Sequence, residues 1–278
     1  MVEIYGIRPR DRMPLHTARL SERNPSNAGW LRFWNFADSS GGHAPRELTG
    51  ARKDSWTFRA NAKRGGGPLG PGLYTGGGNY DQGGAYCDDS YRTSIGSSLT
   101  AMVLYTSVSS TNSEFIFGNT SLITGGDYNW GIYRSHSTAT IAAFVKNSGG
   151  TAVSAAGALN LIPIGKTVLA AMTYDGATIR AYIDGIQVAS AAQTGNVRTT
   201  DLNTTLCDWY GATQSQAVWA YYAGIANRVW SPDELLAVGE NWFSIFDEEE
   251  EPVFYSLPTG GGGSVPPLYF HRTQHGMS

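Results

Sequence analysis

Glutamate is nearly missing from the middle of this 278-residue chain: between residues 50 and 230 the only one is Glu114. Hydrolysis of a glycosidic bond needs two carboxyls facing one another, one of them held protonated. No Glu-x-Asp-x-x-Glu run, which on a strand would aim carboxyls to one side, occurs. Glu114 is either a solvated charge at a strand end or one half of an acid pair with an Asp. No Gly-x-Ser-x-Gly elbow and no His-x-x-x-His pair is present, and His136 is the only histidine of the central region. Cysteine is scarce too: Cys87 and Cys207 are expected as two free, buried thiols rather than a disulfide framework. No run of 18 apolar residues exists, so no membrane insertion is expected, and no apolar stretch near Met1 suggests a secretory signal. Charged residues make up only 15% and the net charge is −3, which offers nucleic acid no general attraction.

What is abundant is glycine, 35 residues, and aromatic side chains, 12%. With few charges, this composition fits strands joined by tight turns better than a helical bundle. Residues 1–27 carry Arg8, Arg10, Arg12, Arg19 and Arg23 and show no periodicity. They read as an extended basic arm, either disordered or docked. Trp30 to Phe36 reads as the first strand, and residues 43–73 as irregular, broken by Gly65-Gly66-Gly67-Pro68 and Gly70-Pro71-Gly72. Short strands follow at Ser98–Val108, Glu114–Phe117, Trp130–Arg134 and Thr138–Val145. Asp175-Gly176 and Asp184-Gly185 separate three alternating apolar runs between Thr167 and Ala189. Two type I′ turns there predict a three-stranded antiparallel meander. Leu202–Tyr210 and Ala217–Trp230 supply closing strands. Ser231-Pro232-Asp233-Glu234 is a capping box with proline at the first helical position. It predicts a short helix near 232–239, with Gly239 ending it in a left-handed conformation. Val253–Leu257 reads as one further strand and Thr259–Ser264 as a Gly-rich linker.

These segments resemble a family. Met172 to Gly185 (MTYDGATIRAYIDG) is similar to the hairpins of laminin-G-like and concanavalin A-like jelly rolls. Ala223 to Leu235 (AGIANRVWSPDEL) is similar to their closing strand and helix, and Trp30 to Asp38 to their opening strand. Asn241-Trp242-Phe243-Ser244-Ile245-Phe246 resembles a segment that follows this helix in many bacteriophage virion proteins, where the family pattern has Pro in place of Asn241. The resemblance implies an all-β, antiparallel two-sheet jelly-roll sandwich over residues 28–258, an N-terminal arm of residues 1–27, and a linker and tail at 259–278.

It also implies a role: a non-enzymatic virion component, such as a head fibre, decoration or tail-associated protein, assembled in the bacterial cytoplasm. Its partners are then other virion proteins reached through the terminal tails, sister chains in a homo-oligomer, and a host surface glycan. A soluble carbohydrate-binding module and a degenerate glycanase stand as alternatives. Laminin-G-like domains frequently hold Ca²⁺ at loop ends. Asp81, Asp88, Asp89, Asp127, Asp201 and Asp208 are the candidates, with Asp88 and Asp89 the only adjacent pair; the plain alternative is loop carboxylates in water. From the residues themselves, Tyr74, Tyr80, Tyr86, Tyr91, Tyr128 and Trp130 lie in or near Gly/Asn-rich loops, a composition suited to adaptable recognition. Tyr80, Tyr86, Tyr128 and Trp130 are the candidate glycan-binding residues, and half-buried strand-end aromatics are the competing reading.

Overall fold

The structure is a computed structural model. It describes residues 19–21, 24, 27–37, 45–49, 56–76, 78–79, 83–87, 95–109, 114–121, 127–135, 138–159, 161–208, 214–215 and 217–247. In chain order the strands are β1 (Trp30–Asn35), β2 (Arg46–Glu47), β3 (Trp56–Phe58), β4 (Lys63–Gly67), β5 (Gly70–Tyr74), β6 (Gly78–Asn79), β7 (Ala85–Cys87), β8 (Leu99–Ser107), β9 (Glu114–Thr120), β10 (Tyr128–Arg134), β11 (Ile141–Lys146), β12 (Ala152–Ala156), β13 (Thr167–Tyr174), β14 (Thr178–Ile183), β15 (Ile186–Ala192), β16 (Asn203–Leu206), β17 (Gln214–Ser215) and β18 (Val218–Ala226). One helix, α1 (Pro232–Glu240), follows. The larger sheet runs β15-β14-β13-β8-β18-β1-β2, with β5 also pairing β18 and β4 pairing β5. The smaller runs β12-β11-β10-β9-β16-β7-β3. All assigned pairings are antiparallel, and the two sheets form a sandwich.

The meander of β13, β14 and β15 forms as the Asp-Gly dipeptides imply, but through two different turns. At Asp184-Gly185 both residues have positive φ, 50° and 80°, as a type I′ turn requires. At the earlier turn only Gly176 does, at 83°. There Asp175 Oδ1 accepts hydrogen bonds from the amides of Ala177 (2.9 Å) and Thr178 (2.7 Å), so the aspartate stabilises the loop through its side chain.

Between the sheets, Trp34 meets Trp56 and Phe117 edge-on, with ring centroids 5.4 and 6.1 Å apart. Phe117 in turn meets Trp130 at 5.5 Å. A second apolar layer lies on the other face of the larger sheet. Phe33, Met102, Leu104, Leu169, Tyr182 and Tyr222 are covered there by Trp230, Leu235, Val238, Phe243, Ile245 and Phe246. The larger sheet is thus buried on both sides. This is why all nine residues of β8 are buried and its sequence shows no alternation.

Helix α1 starts as expected. The Ser231 hydroxyl accepts from the Glu234 amide (3.2 Å), and the Glu234 carboxylate accepts from the Ser231 amide (2.8 Å). It ends differently. Gly239 stays inside the helix, and the cap is Asn241 in an extended conformation. Gly239 is needed for close approach: a Cβ there would lie 2.1 Å from the backbone carbonyl group of Asp184. The helix rests directly on the β14–β15 turn.

One further expectation is corrected. The stretch 43–73 holds β2, β3, β4 and most of β5. Its glycines hide these strands because glycine has little β preference, yet Gly67 is where the hairpin passes the Trp219 ring, 2.8 Å from any Cβ. Within the basic arm, Arg19 to Ser21 is docked. Leu20 bridges Phe246, the Ser21 amide donates to Ile245 O (2.9 Å), and Asn24 and Asn27 donate side-chain bonds to the carbonyls of Ser244 and Ile245. Residues 1–18, Val253–Leu257 and 259–278 lie outside the described residues. Cys87 and Cys207 are both buried and are not joined in a disulfide.

Candidate functional site

The smaller sheet differs from the larger one on its outer face. Strand β10 sends Trp130, Ile132 and Arg134 toward the core, where each is about 1% exposed. Tyr133 points outward with Phe115, its partner across the β9–β10 ladder. A register shift between Tyr128 and Trp130 turns Tyr128 to the same outer face. Phe144 joins from β11. Phe115 is the hub: its ring centroid lies 5.1 Å from Tyr128, 5.5 Å from Tyr133 and 5.4 Å from Phe144. Phe144 also meets Tyr128 (5.6 Å) and Tyr133 (5.5 Å). Phe115 is buried, whereas Tyr128, Tyr133 and Phe144 are half-buried and keep ring surface in solvent. Gly131 makes this arrangement fit. A Cβ there would sit 2.3 Å from Phe115 Cδ1, so only glycine lets the Phe115 ring lie against the sheet.

Charge borders the cluster. Asp127 Oδ1 accepts from Lys146 Nζ (2.9 Å), an Arg198 Nη (2.7 Å) and the Tyr128 amide (3.0 Å). Among the described residues Oδ2 accepts nothing. Partial burial opposes ionisation of Asp127, but the bonds from Arg198 and Lys146 outweigh it and its pKa falls to about 2. Arg198 also donates to Asn129 Oδ1 (2.9 Å) and to the Tyr128 carbonyl (2.7 Å), fixing the strand that carries Tyr128. This gives stacking surface beside fixed donors and one open carboxylate oxygen. Such a combination suits a ligand with apolar CH faces and hydroxyl edges.

Tyr86 lies on the same outer face, two strands from β9, since it pairs with Thr205, which pairs with Gly118. It is half-buried beneath the Arg59 guanidinium, 4.9 Å from its ring centroid. Arg59 in turn donates to Asp208 Oδ2 (2.8 Å). Burial raises the Asp208 pKa to about 6 although Arg59 opposes the rise.

The structure therefore brings Tyr86 and Tyr128 to one face. It corrects the expectation for Trp130, whose buried ring packs on Phe117 and offers no surface to a sugar. Tyr80, Tyr91, Asp81, Asp88, Asp89 and His136 lie outside the described residues. Among the described residues no three His, Cys, Asp or Glu side chains gather to hold a metal. Asp127 and Asp208 are already held by cationic partners that Ca²⁺ would have to displace. Phe115, Tyr133 and Phe144 do not stand out in the sequence. The available signal is Gly131 and Tyr133 alternating with Trp130 and Ile132, which marks a second, differently built face.

The family model described as the concanavalin A-like lectin/glucanases superfamily matches residues 78–229. No curated protein sequence matches. Among solved structures, the binding domain of Paraclostridial Mosquitocidal Protein 1 superposes with a TM-score of 0.59 at 11% identity, over 77% of this chain and 52% of that one. The binding domain of Botulinum Neurotoxin DC in complex with SialylT gives 0.58 at 11%, over 77% and 51%. Trypanosoma rangeli sialidase gives 0.54 at 17%, over 78% and 33%. The chain spans about half the length of the two toxin chains and a third of the sialidase. At these identities the likeness is one of fold.

Proposed function

The chain belongs to the concanavalin A-like lectin/glucanases superfamily, and on that premise we propose that it is a non-catalytic module that binds glycan on the outer face of its smaller sheet. The observation that carries this reading is the half-exposed ring cluster of Tyr128, Tyr133 and Phe144 around Phe115. Pyranose CH faces stack on such rings, and Asp127 and Lys146 stand beside them to meet hydroxyls. The complex of the neurotoxin binding domain with SialylT and the sialidase supports a sugar ligand. A binding role rather than hydrolysis is supported by the carboxylates of this face. Asp127 is an ion-paired anion, and Asp208 is 1% exposed and paired with Arg59. Neither is presented as a free acid opposite a second carboxylate. The test is a glycan array probed with the full-length protein, followed by a polysaccharide hydrolysis panel. Binding without turnover is expected; hydrolysis lost in Glu114→Gln would replace this reading with the glycanase.

The finer part of the proposal is that the module is carried on a bacteriophage particle. The resemblance of Asn241–Phe246 to virion proteins supports it. In this protein that segment closes the outer layer of the larger sheet and holds Arg19 to Ser21. Mass spectrometry of purified particles tests the assignment, and absence of the protein from them would contradict it.

A further inference from the structure

Sheet edges carry unpaired N–H and C=O groups, and proteins guard them with charge, proline, glycine or short length. One side of this sandwich is guarded in that way. There the edge elements are β2 with two residues, β3 with three and Arg59 next to it, and β4 with Lys63, Arg64 and three glycines. The opposite side has neither charge nor proline, and its one guarding device is a bulge at Val188. Strands β12 (Ala-Val-Ser-Ala-Ala) and β15 (Ile-Gln-Val-Ala-Ser-Ala-Ala) end the two sheets, and among the described residues no strand lies beyond either. They hold no charged residue and no proline. Their exposed positions are mostly Ala and Ser, which let another backbone approach closely.

Apolar exposure gathers on the same side. Five large hydrophobic side chains stand exposed among the described residues, and three of them flank this edge. Ile186, 63% exposed, opens β15. Leu236 lies in helix α1, where its Cα is 2.5 Å from any Cβ at Gly185. Leu159, 65% exposed, is two residues past Gly157, whose Cβ position is 3.3 Å from Val188.

We propose that β15 is the contact strand of a homodimer, pairing antiparallel with β15 of a second copy. A two-fold contact sets each patch against itself. A charged edge would repel its own copy, whereas this uncharged edge complements itself. Val188 is the extra residue of a bulge in the β14–β15 ladder, since Ala181 pairs Ala189 and Tyr182 pairs Gln187. The regular stretch left for pairing is therefore Ala189–Ala192, with Ile186 packing beside it. The inference does not depend on the glycan-binding reading, because the aromatic cluster lies on β9, β10 and β11.

Sedimentation velocity of the full-length protein over a range of concentrations tests it. The wild type is expected as a reversible dimer. Ser190→Lys places a charge in the centre of the contact, and Ile186→Asp places one beside it. Each is expected to weaken the dimer at least tenfold, with an unchanged circular-dichroism spectrum because both positions are exposed. A wild type that stays monomeric throughout overturns the proposal. So does an assembly that both variants leave unchanged.

Discussion

The two sheets bury their outer faces differently. The larger sheet carries a second apolar layer made by the segment from Trp230 to Phe246, so its strands are covered on both sides. Among the described residues no such layer lies over Tyr128, Tyr133 and Phe144 of the smaller sheet, and these outward aromatics are half-buried. The same side-chain type therefore does two jobs. Phe33 and Tyr222 hold the helix segment in place, while Tyr133 and Phe144 are free to meet a ligand. Aromatic content alone does not locate a site in a sandwich. The proposed site lies on the face that the segment from Trp230 to Phe246 leaves uncovered.

The contrast is sharpest in stability. Trp230→Ala opens a cavity between the larger sheet and its cover and is expected to cost about 3–5 kcal/mol. Tyr133→Ala on the smaller sheet removes a half-exposed ring and is expected to cost about 1 kcal/mol. Urea denaturation of both variants compares them directly, and equal losses would break the distinction.

Two aspartates of the smaller sheet sharpen it electrostatically. Asp208 has a folded pKa of about 6, above its unfolded value of about 4. The folded state thus holds an extra proton between these values, and stability falls as pH rises from about 4 to about 6. Asp208→Asn removes this dependence, so its stability relative to wild type is expected to grow by up to about 3 kcal/mol across that window. Asp127 has the opposite sign. Its folded pKa of about 2 adds stability that is present above about pH 4 and is lost as pH falls toward 2. Denaturation at a series of pH values checks both, and parallel curves for wild type and Asp208→Asn would remove the argument for Asp208.

Gly131→Ala pushes a methyl group into Phe115 and is expected to cost about 1–3 kcal/mol. It should also disperse the ring cluster, visible as altered near-ultraviolet circular dichroism. The smallest expected effect lies on the covered side: Ser231→Ala removes the helix cap at about 1 kcal/mol. It should leave ligand binding unchanged.

Much of the fold is legible in the residues, for local reasons. The Asp-Gly turns of the meander and the Ser231–Glu234 capping box set short-range geometry, and both form. The Gly-rich strands around residues 63–74 are not legible. They pair because Trp219 and Tyr221 need a cover free of side chains, which is a tertiary requirement. The site is legible only in part. Tyr86 and Tyr128 stand out through their loop-like neighbours, but the same reasoning places Trp130 in solvent, because composition does not report which way a strand residue points. The register shift beside Asn129 decides that, and it shows only in the pairing of β9 with β10.

On the proposed function the uncovered aromatic face, and not the covered one, meets glycan. Titration calorimetry with the strongest oligosaccharide from the array tests it most directly, comparing wild type with Phe144→Ala and with Leu236→Ala on helix α1. Affinity at least roughly tenfold weaker is expected for Phe144→Ala, and unchanged affinity for Leu236→Ala. Equal affinity for wild type and Phe144→Ala would contradict it.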